Sequence, residues 1–243
     1  MTKTPLLARP NYRGCGARLL DLLLPRYCAA CGTYSGAGNL CPPCEAELPR
    51  VFSGCRKCGL PLSLSTDLHC AKCLKNPPPW DSGLAGLAYR FPVDQMVCRF
   101  KFNRNLACGQ ILGVELLRAI NTKKSQLPEA IIPVPLHRSR QFTRTFNQAD
   151  LLARQLGRGL QIPVRPGLLS RKRRTGAQTG LDALARRKNI RDAFCCRQSD
   201  IRHAALVDDV MTTGATLAEY SRTLKRAGVS CVSVWVAARA SFD

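Results

Sequence analysis

Residues 204–216 read AALVDDVMTTGAT. An apolar run from Ala204 to Val207 delivers two adjacent carboxylates, Asp208 and Asp209. Two residues later come Thr212, Thr213, Gly214, Ala215 and Thr216, and the sequence then turns helical. Carboxylates at the end of a buried strand can accept hydrogen bonds from sugar hydroxyls. A glycine-bearing turn at a helix start aims unpaired backbone N–H groups, backed by the helix dipole, at an anion such as phosphate. Gly214 suits the tight turn because it has no Cβ. A plain helix cap needs only one Ser, Thr or Asp, and this stretch supplies several.

A second chemistry lies near the N-terminus. Eight of the fourteen cysteines form four C-x-x-C pairs: Cys28/Cys31, Cys41/Cys44, Cys55/Cys58 and Cys70/Cys73. This spacing turns two thiolates onto one ion, and four thiolates make the closed tetrahedral site that structural Zn²⁺ prefers. The simplest assignment is sequential, with one zinc on Cys28, Cys31, Cys41 and Cys44 and a second on Cys55, Cys58, Cys70 and Cys73. A cross-braced pairing is the alternative. The module holds few large apolar residues, so metal binding is expected to supply much of its folding free energy. Cys15, Cys98, Cys108, Cys195, Cys196 and Cys231 lack such partners and read as small buried apolar residues. His69 reads as a bystander. No secretory signal is evident: the apolar stretch Leu19–Leu24 is short, and no run approaches a membrane span. That favours metal over disulfides and a cytoplasmic setting.

The net charge of +21 suits contact with polyanions. Residues 138–202 carry sixteen Lys or Arg against four acids, so the positive charge is concentrated beside the acid-and-glycine loop. It fits either a nucleic-acid backbone or phosphate-bearing substrates. Aromatic residues are few, with Tyr12, Tyr27, Trp80 and scattered Phe, so nucleic-acid contact is expected to be electrostatic more than stacking.

The elements that must position these groups follow from periodicity. Asn76-Pro77-Pro78-Pro79 breaks regular structure and divides the chain into a zinc-ribbon module, 1–79, and a second domain, 80–243. Residues 82–91 read as a strand pair, or a strand with a turn at Gly86. Helical spacing covers 105–120, 147–160 and 217–227, with Gly228 as a stop. Residues 130–134 and 229–236 read as strands, and Pro133 and Pro135 place the first at an edge or a strand end. Residues 171–179, RKRRTGAQT, are charged and aperiodic, as in a loop over a site or a solvated linker. Strands alternating with helices predict a mainly parallel α/β sheet.

The stretch at 204–216 resembles the phosphoribosyl-pyrophosphate (PRPP) loop of type I phosphoribosyltransferases. The resemblance implies ribose contacts from Asp208 and Asp209, and a 5′-phosphate wrapped by Thr212, Thr213, Gly214, Ala215 and Thr216. With LLLPRYCAAC, the paired ribbons, IIPVPLHRSRQFTRTFNQADLLA and SRKRRTGAQTGLDALARRKNIRDAF, nearly the whole chain from Leu19 is similar to the ComF family of competence and DNA-utilisation proteins. Thr145 stands where that family usually has Gly before its Phe-Asn-Gln. The resemblance implies a double zinc ribbon joined to a type I phosphoribosyltransferase-like domain, with helices on both faces of its sheet. It also implies handling of internalised single-stranded DNA at the cytosolic face of the inner membrane, beside the uptake machinery. Nucleotide-salvage transfer from PRPP and PRPP sensing are the alternatives. For pyrophosphate displacement, Leu136, His137, Arg138, Ser139 and Arg140 are the expected pyrophosphate contact. Arg171, Lys172, Arg173 and Arg174 are the candidates to close over it, with Mg²⁺ on the pyrophosphate oxygens.

Overall fold

The computed structural model describes residues 26–36, 38–63, 68–123, 126–135, 146–171, 194–196 and 200–241. Along these the chain forms two short helices, α1 (Pro42–Ala46) and α2 (Ala71–Lys75), then strand β1 (Ser82–Ala88) and helices α3 (Val93–Phe102) and α4 (Leu106–Thr122). Next come β2 (Ala130–Pro133), α5 (Gln148–Leu160), β3 (Leu169–Arg171), β4 (Phe194–Cys196), β5 (His203–Met211), α6 (Ala215–Arg226) and β6 (Cys231–Arg239). Four strands make a sheet in the order β1-β6-β5-β2, all its pairs parallel, and β3 and β4 form a separate antiparallel pair.

The central strand β5 must bury both faces, which is why its apolar run is continuous. Ala205 and Val207, with Trp235 and Ala237 of β6, face a core filled from α3, α4 and α5. Ala204 and Leu206, with Val232, Val234 and Val236, face Leu217, Tyr220 and Leu224 of α6 and the second cysteine group. The helices start where polar caps supply acceptors. Asn105 Oδ1 accepts from Cys108 N–H at 3.1 Å, and Asn147 Oδ1 from Ala149 N–H at 3.1 Å.

Two features depart from the sequence reading. Gly86 makes no turn; it lies inside β1, where a Cβ would come within 3.0 Å of the Leu116 backbone, so the glycine lets α4 press against the strand. Helix α3 is the second. Its buried residues Val93, Met96, Val97 and Phe100 follow helical spacing.

Both edges of the sheet are covered. The chain joining the two ribbons runs along β1, with Val51 N–H to Gly86 C=O at 3.1 Å, Ala88 N–H to Pro49 C=O at 2.8 Å and Gly83 N–H to Arg56 C=O at 2.8 Å. On the far side, Ile131 exchanges bonds with Pro163 and Arg165, both at 2.9 Å. The proline-bearing strand β2 thus stands at the sheet's edge in the strand order.

Candidate functional site

Strand β5 carries Asp208 and Asp209 to the carboxyl end of the parallel sheet, where open α/β sheets bind their ligands. Pairing with β2 stops at Pro133–Val207, whereas pairing with β6 continues to Met211–Arg239. The two acids therefore extend past one neighbour while held by the other. Asp208 is half-buried and its Oδ1 accepts the Asp209 N–H at 2.9 Å. Asp209 is 7% exposed, and its Oδ1 lies 2.9 Å from Lys101 Nζ on α3. A buried carboxylate needs such a partner, and Lys101 is a site residue that spacing in the sequence does not mark. Its position on the last turn of α3 becomes meaningful once that helix is known.

Beyond β5, Thr212 and Thr213 are exposed and Gly214 is buried with φ +79°. At that φ an L side chain is strained. A Cβ would also meet the edge of the Trp80 ring at 3.0 Å. Ala215 and Thr216 are exposed in the first turn of α6. Ala215 N–H reaches Thr213 Oγ1 at 3.4 Å. Among the described residues no acceptor takes the N–H of Thr213 or Gly214. The arrangement offers two adjacent carboxylates next to unpaired donors at a helix start.

Leu136, His137, Arg138, Ser139 and Arg140 lie outside the described residues, as do Lys172, Arg173 and Arg174. Arg171 closes strand β3, so the charged run begins on a strand end. In the Phe-Asn-Gln stretch, Asn147 caps α5 and donates its side-chain N–H to Val134 C=O at 3.1 Å. Gln148 is buried, and among the described residues neither of its amide atoms has a hydrogen-bond partner, a costly state for a polar group.

The eight paired cysteines come together as two groups in sequential order: Cys28, Cys31, Cys41 and Cys44, and Cys55, Cys58, Cys70 and Cys73. Within each, the ligand atoms all lie within 4.8 Å of one another. Cys31 and Cys41 Sγ are 3.6 Å apart, and Cys58 and Cys70 Sγ 3.7 Å. A tetrahedron with Zn–S bonds of about 2.3 Å places its sulfurs about 3.8 Å apart, so both groups fit Zn²⁺. The surroundings favour thiolate at selected ligands. Hydrogen bonds from Thr33 bring Cys31 down to about 6. At Cys55 burial is the largest influence and acts upward, yet backbone donors at Cys70, Cys58 and Lys57 outweigh it and hold the thiol at about 7. Burial pushes the Cys73 thiol up, the expected behaviour of a fourth sulfur that ionises only with the metal. Of the unpaired cysteines, Cys108 is buried, Cys196 and Cys231 are half-buried, and Cys98 is exposed, against the expectation of burial.

The first C-x-x-C knuckle of each cysteine group is bonded to the sheet domain. In the first, Ala29 C=O and Ala30 C=O accept from Arg99 of α3 at 2.6 and 3.3 Å. Near it Glu115, buried on α4, accepts from Arg50 at 2.8 Å and from Arg118 at 2.8 Å. In the second, Cys58 C=O accepts from Arg239 at 3.1 Å and Lys57 C=O from the Trp80 indole N–H. Trp80 is therefore interior and unavailable for base stacking. The first ribbon instead presents Tyr27 and Tyr34, 63% and 60% exposed, as partners in an antiparallel bridge. Directly opposed residues project on one face, and composition does not reveal Tyr34 because its bridge partner Tyr27 lies seven residues away. No described helix is long and apolar enough to cross a membrane.

Comparison with known proteins gives three kinds of likeness. Residues 19–74 match the double zinc ribbon domain. Competence protein F of Haemophilus influenzae is 41% identical over 210 residues, 83% of this chain and 91% of that protein. DNA utilization protein YhgH of Escherichia coli K12 is 35% identical over 225 residues, 90% of this chain and 99% of that protein. Among solved structures, adenine phosphoribosyltransferase from Leishmania tarentolae aligns over 65% of this chain and 76% of its own, at 15% identity and a TM-score of 0.39, too slight to add to the reading of the site. By its identity to relatives that it spans almost end to end, the chain belongs to the family of competence protein F and DNA utilization protein YhgH.

Proposed function

We propose that this protein is a DNA-utilisation factor that handles internalised single strands in the cytoplasm and binds Mg²⁺–PRPP at the end of β5. The observation that carries the ligand assignment is the adjacency of two carboxylates to unpaired backbone donors: Asp208 and Asp209 on one side, Thr213 and Gly214 N–H on the other. A phosphorylated ribose presents the matching pair of vicinal hydroxyls and a phosphate. In this reading Asp208 and Asp209 accept from the ribose hydroxyls, and Thr212, Thr213, Gly214, Ala215 and Thr216 surround the 5′-phosphate, stabilised by the α6 dipole. Lys101 holds the Asp209 carboxylate in place. Leu136–Arg140 and the cations Arg171, Lys172, Arg173 and Arg174 take the pyrophosphate, whose oxygens chelate Mg²⁺.

The nucleic-acid part of the reading rests on the relatives named for competence and DNA utilisation and on the chain's charge. Lys and Arg neutralise phosphates, while Tyr27 and Tyr34 offer unpaired bases two aromatic faces. Duplex DNA hides its base faces, so the exposed pair favours single strands.

Growth of a deletion strain on DNA as carbon source tests both parts together. Complementation by the wild-type gene and failure of the Asp208→Asn/Asp209→Asn gene are expected. Full rescue by the double variant would separate DNA use from the pocket and defeat the proposal.

A further inference from the structure

Arg239, the last residue of β6, is a buried cation bonded to the start of the loop; the residue is 4% exposed. Among the described residues every hydrogen-bond partner of its guanidinium is a backbone carbonyl. Nε donates to Cys58 C=O at 3.1 Å, and one terminal nitrogen donates to Met211 C=O at 3.1 Å, Thr212 C=O at 2.8 Å and Ala240 C=O. Among the described residues no carboxylate pairs with it. A buried cation without a counter-charge is costly. A zinc ion held by four thiolates is a dianion, and Cys58, the residue whose carbonyl takes Nε, is one of its ligands. With zinc bound, that centre would supply the counter-charge that Arg239 lacks among the described residues.

The same guanidinium sets the direction of the loop's donors. In a trans peptide the C=O and the following N–H point in opposite directions. Met211 and Thr212 carbonyls both converge on Arg239, so the N–H groups of Thr212 and Thr213 both point away from it. Successive N–H groups facing one side form an anion-binding nest, and a cation on the carbonyl side strengthens them as donors. A second strut runs in parallel. Trp80 donates its indole N–H to Lys57 C=O, inside the same C-x-x-C knuckle, and its ring underlies Gly214. The second knuckle therefore supports the loop at Thr212 and again at Gly214.

We propose that Arg239 is a positioning residue that makes the second zinc centre part of the phosphate site, so that metal at Cys55, Cys58, Cys70 and Cys73 orients the N–H groups of Thr212 and Thr213. This rests on reading that loop as the cradle of a phosphate ester. The knuckle of the first centre bonds instead to Arg99 of α3.

Amide resonances of Thr212, Thr213 and Gly214 in the ligand-free full chain, zinc content and affinity for Mg²⁺–PRPP test this in three variants. Arg239→Lys keeps the charge but not the fork of donors. It is expected to retain two zinc ions per chain, leave the Val207 and Val234 amides unmoved, shift the loop amides and weaken PRPP about tenfold, the scale of one charge-assisted hydrogen bond. Cys70→Ser/Cys73→Ser, lacking the second metal, is expected to shift the same amides. Cys41→Ser/Cys44→Ser, lacking the first, is expected to leave them in place. Loop amides at their wild-type positions in Arg239→Lys or in the second-centre variant overturn the proposal, as does an equal shift on loss of either metal. Should Arg239→Lys fail to fold, the two cysteine variants decide alone. If the wild type binds no PRPP while the amides still move, the phosphate reading falls and the link from metal to loop stands.

Discussion

Replacing Lys101 by Met removes the one ionic partner that Asp209 has among the described residues while keeping most of the side chain's volume. At 2.9 Å the gross attraction of the pair is roughly 6 kcal/mol for an effective dielectric of about 20. Desolvation offsets most of that. Stripping one partner from a fully buried pair costs about 3–5 kcal/mol, and from an exposed pair about 0.2–1 kcal/mol. With side chains 21% and 10% exposed, this pair falls between them, nearer the buried case at Asp209. A loss of about 2 kcal/mol is therefore expected, which lowers Tm by about 4–8 °C in a chain of this size. Asp209→Asn should cost less, because Lys101 can turn its ammonium toward solvent. The double variant should recover about 1 kcal/mol relative to additivity. Scanning calorimetry at fixed zinc content measures all three. Lys101→Met within 0.5 kcal/mol of wild type, or strict additivity, would show that the two groups do not form the pair on which the site's electrostatics is built.

Two further outcomes are expected. Tyr27→Ser/Tyr34→Ser should weaken single-strand binding by about 1–3 kcal/mol per lost stack while leaving the salt slope unchanged, because the phosphate contacts remain; titrations at several salt concentrations measure both, and unchanged affinity would remove the tyrosines from the interface. His203 Nε2 pairs with Ser233 Oγ at 2.8 Å, and burial holds the imidazole below its ordinary pKa. The unfolded chain therefore takes up its proton first as pH falls below about 6.5, so the stability contributed by neutral His203 is present above that pH and declines until the folded pKa is passed. His203→Gln should flatten the fall in Tm over that window relative to wild type, and parallel profiles would show that His203 is not its source.

What could be read from the sequence was what short-range spacing encodes. Four C-x-x-C pairs identified the ligands, and the run Ala204–Val207 followed by Asp208 and Asp209 located the strand that ends in acids. The choice between sequential and cross-braced pairing needed the fold. Helix α3 was within reach, since Val93, Met96, Val97 and Phe100 repeat at helical spacing, but the Pro92 that precedes it also reads as a break in the chain. Gly86 was misread because a glycine under a crossing helix and a glycine in a turn look alike in one dimension. Lys101, Trp80 and Arg239 were not legible as site residues. Their partners Asp209, Lys57, Cys58 and Thr212 are brought to them by tertiary folding across as many as 181 residues.

Calorimetric titration of the zinc-loaded full chain with Mg²⁺–PRPP puts the account to its most direct test. Saturable binding with one site per chain is expected, abolished in Asp208→Asn/Asp209→Asn with its two zinc ions retained. No heat from the wild type, or the same affinity in the double variant, would contradict the assignment of the β5 terminus as a phosphoribosyl site.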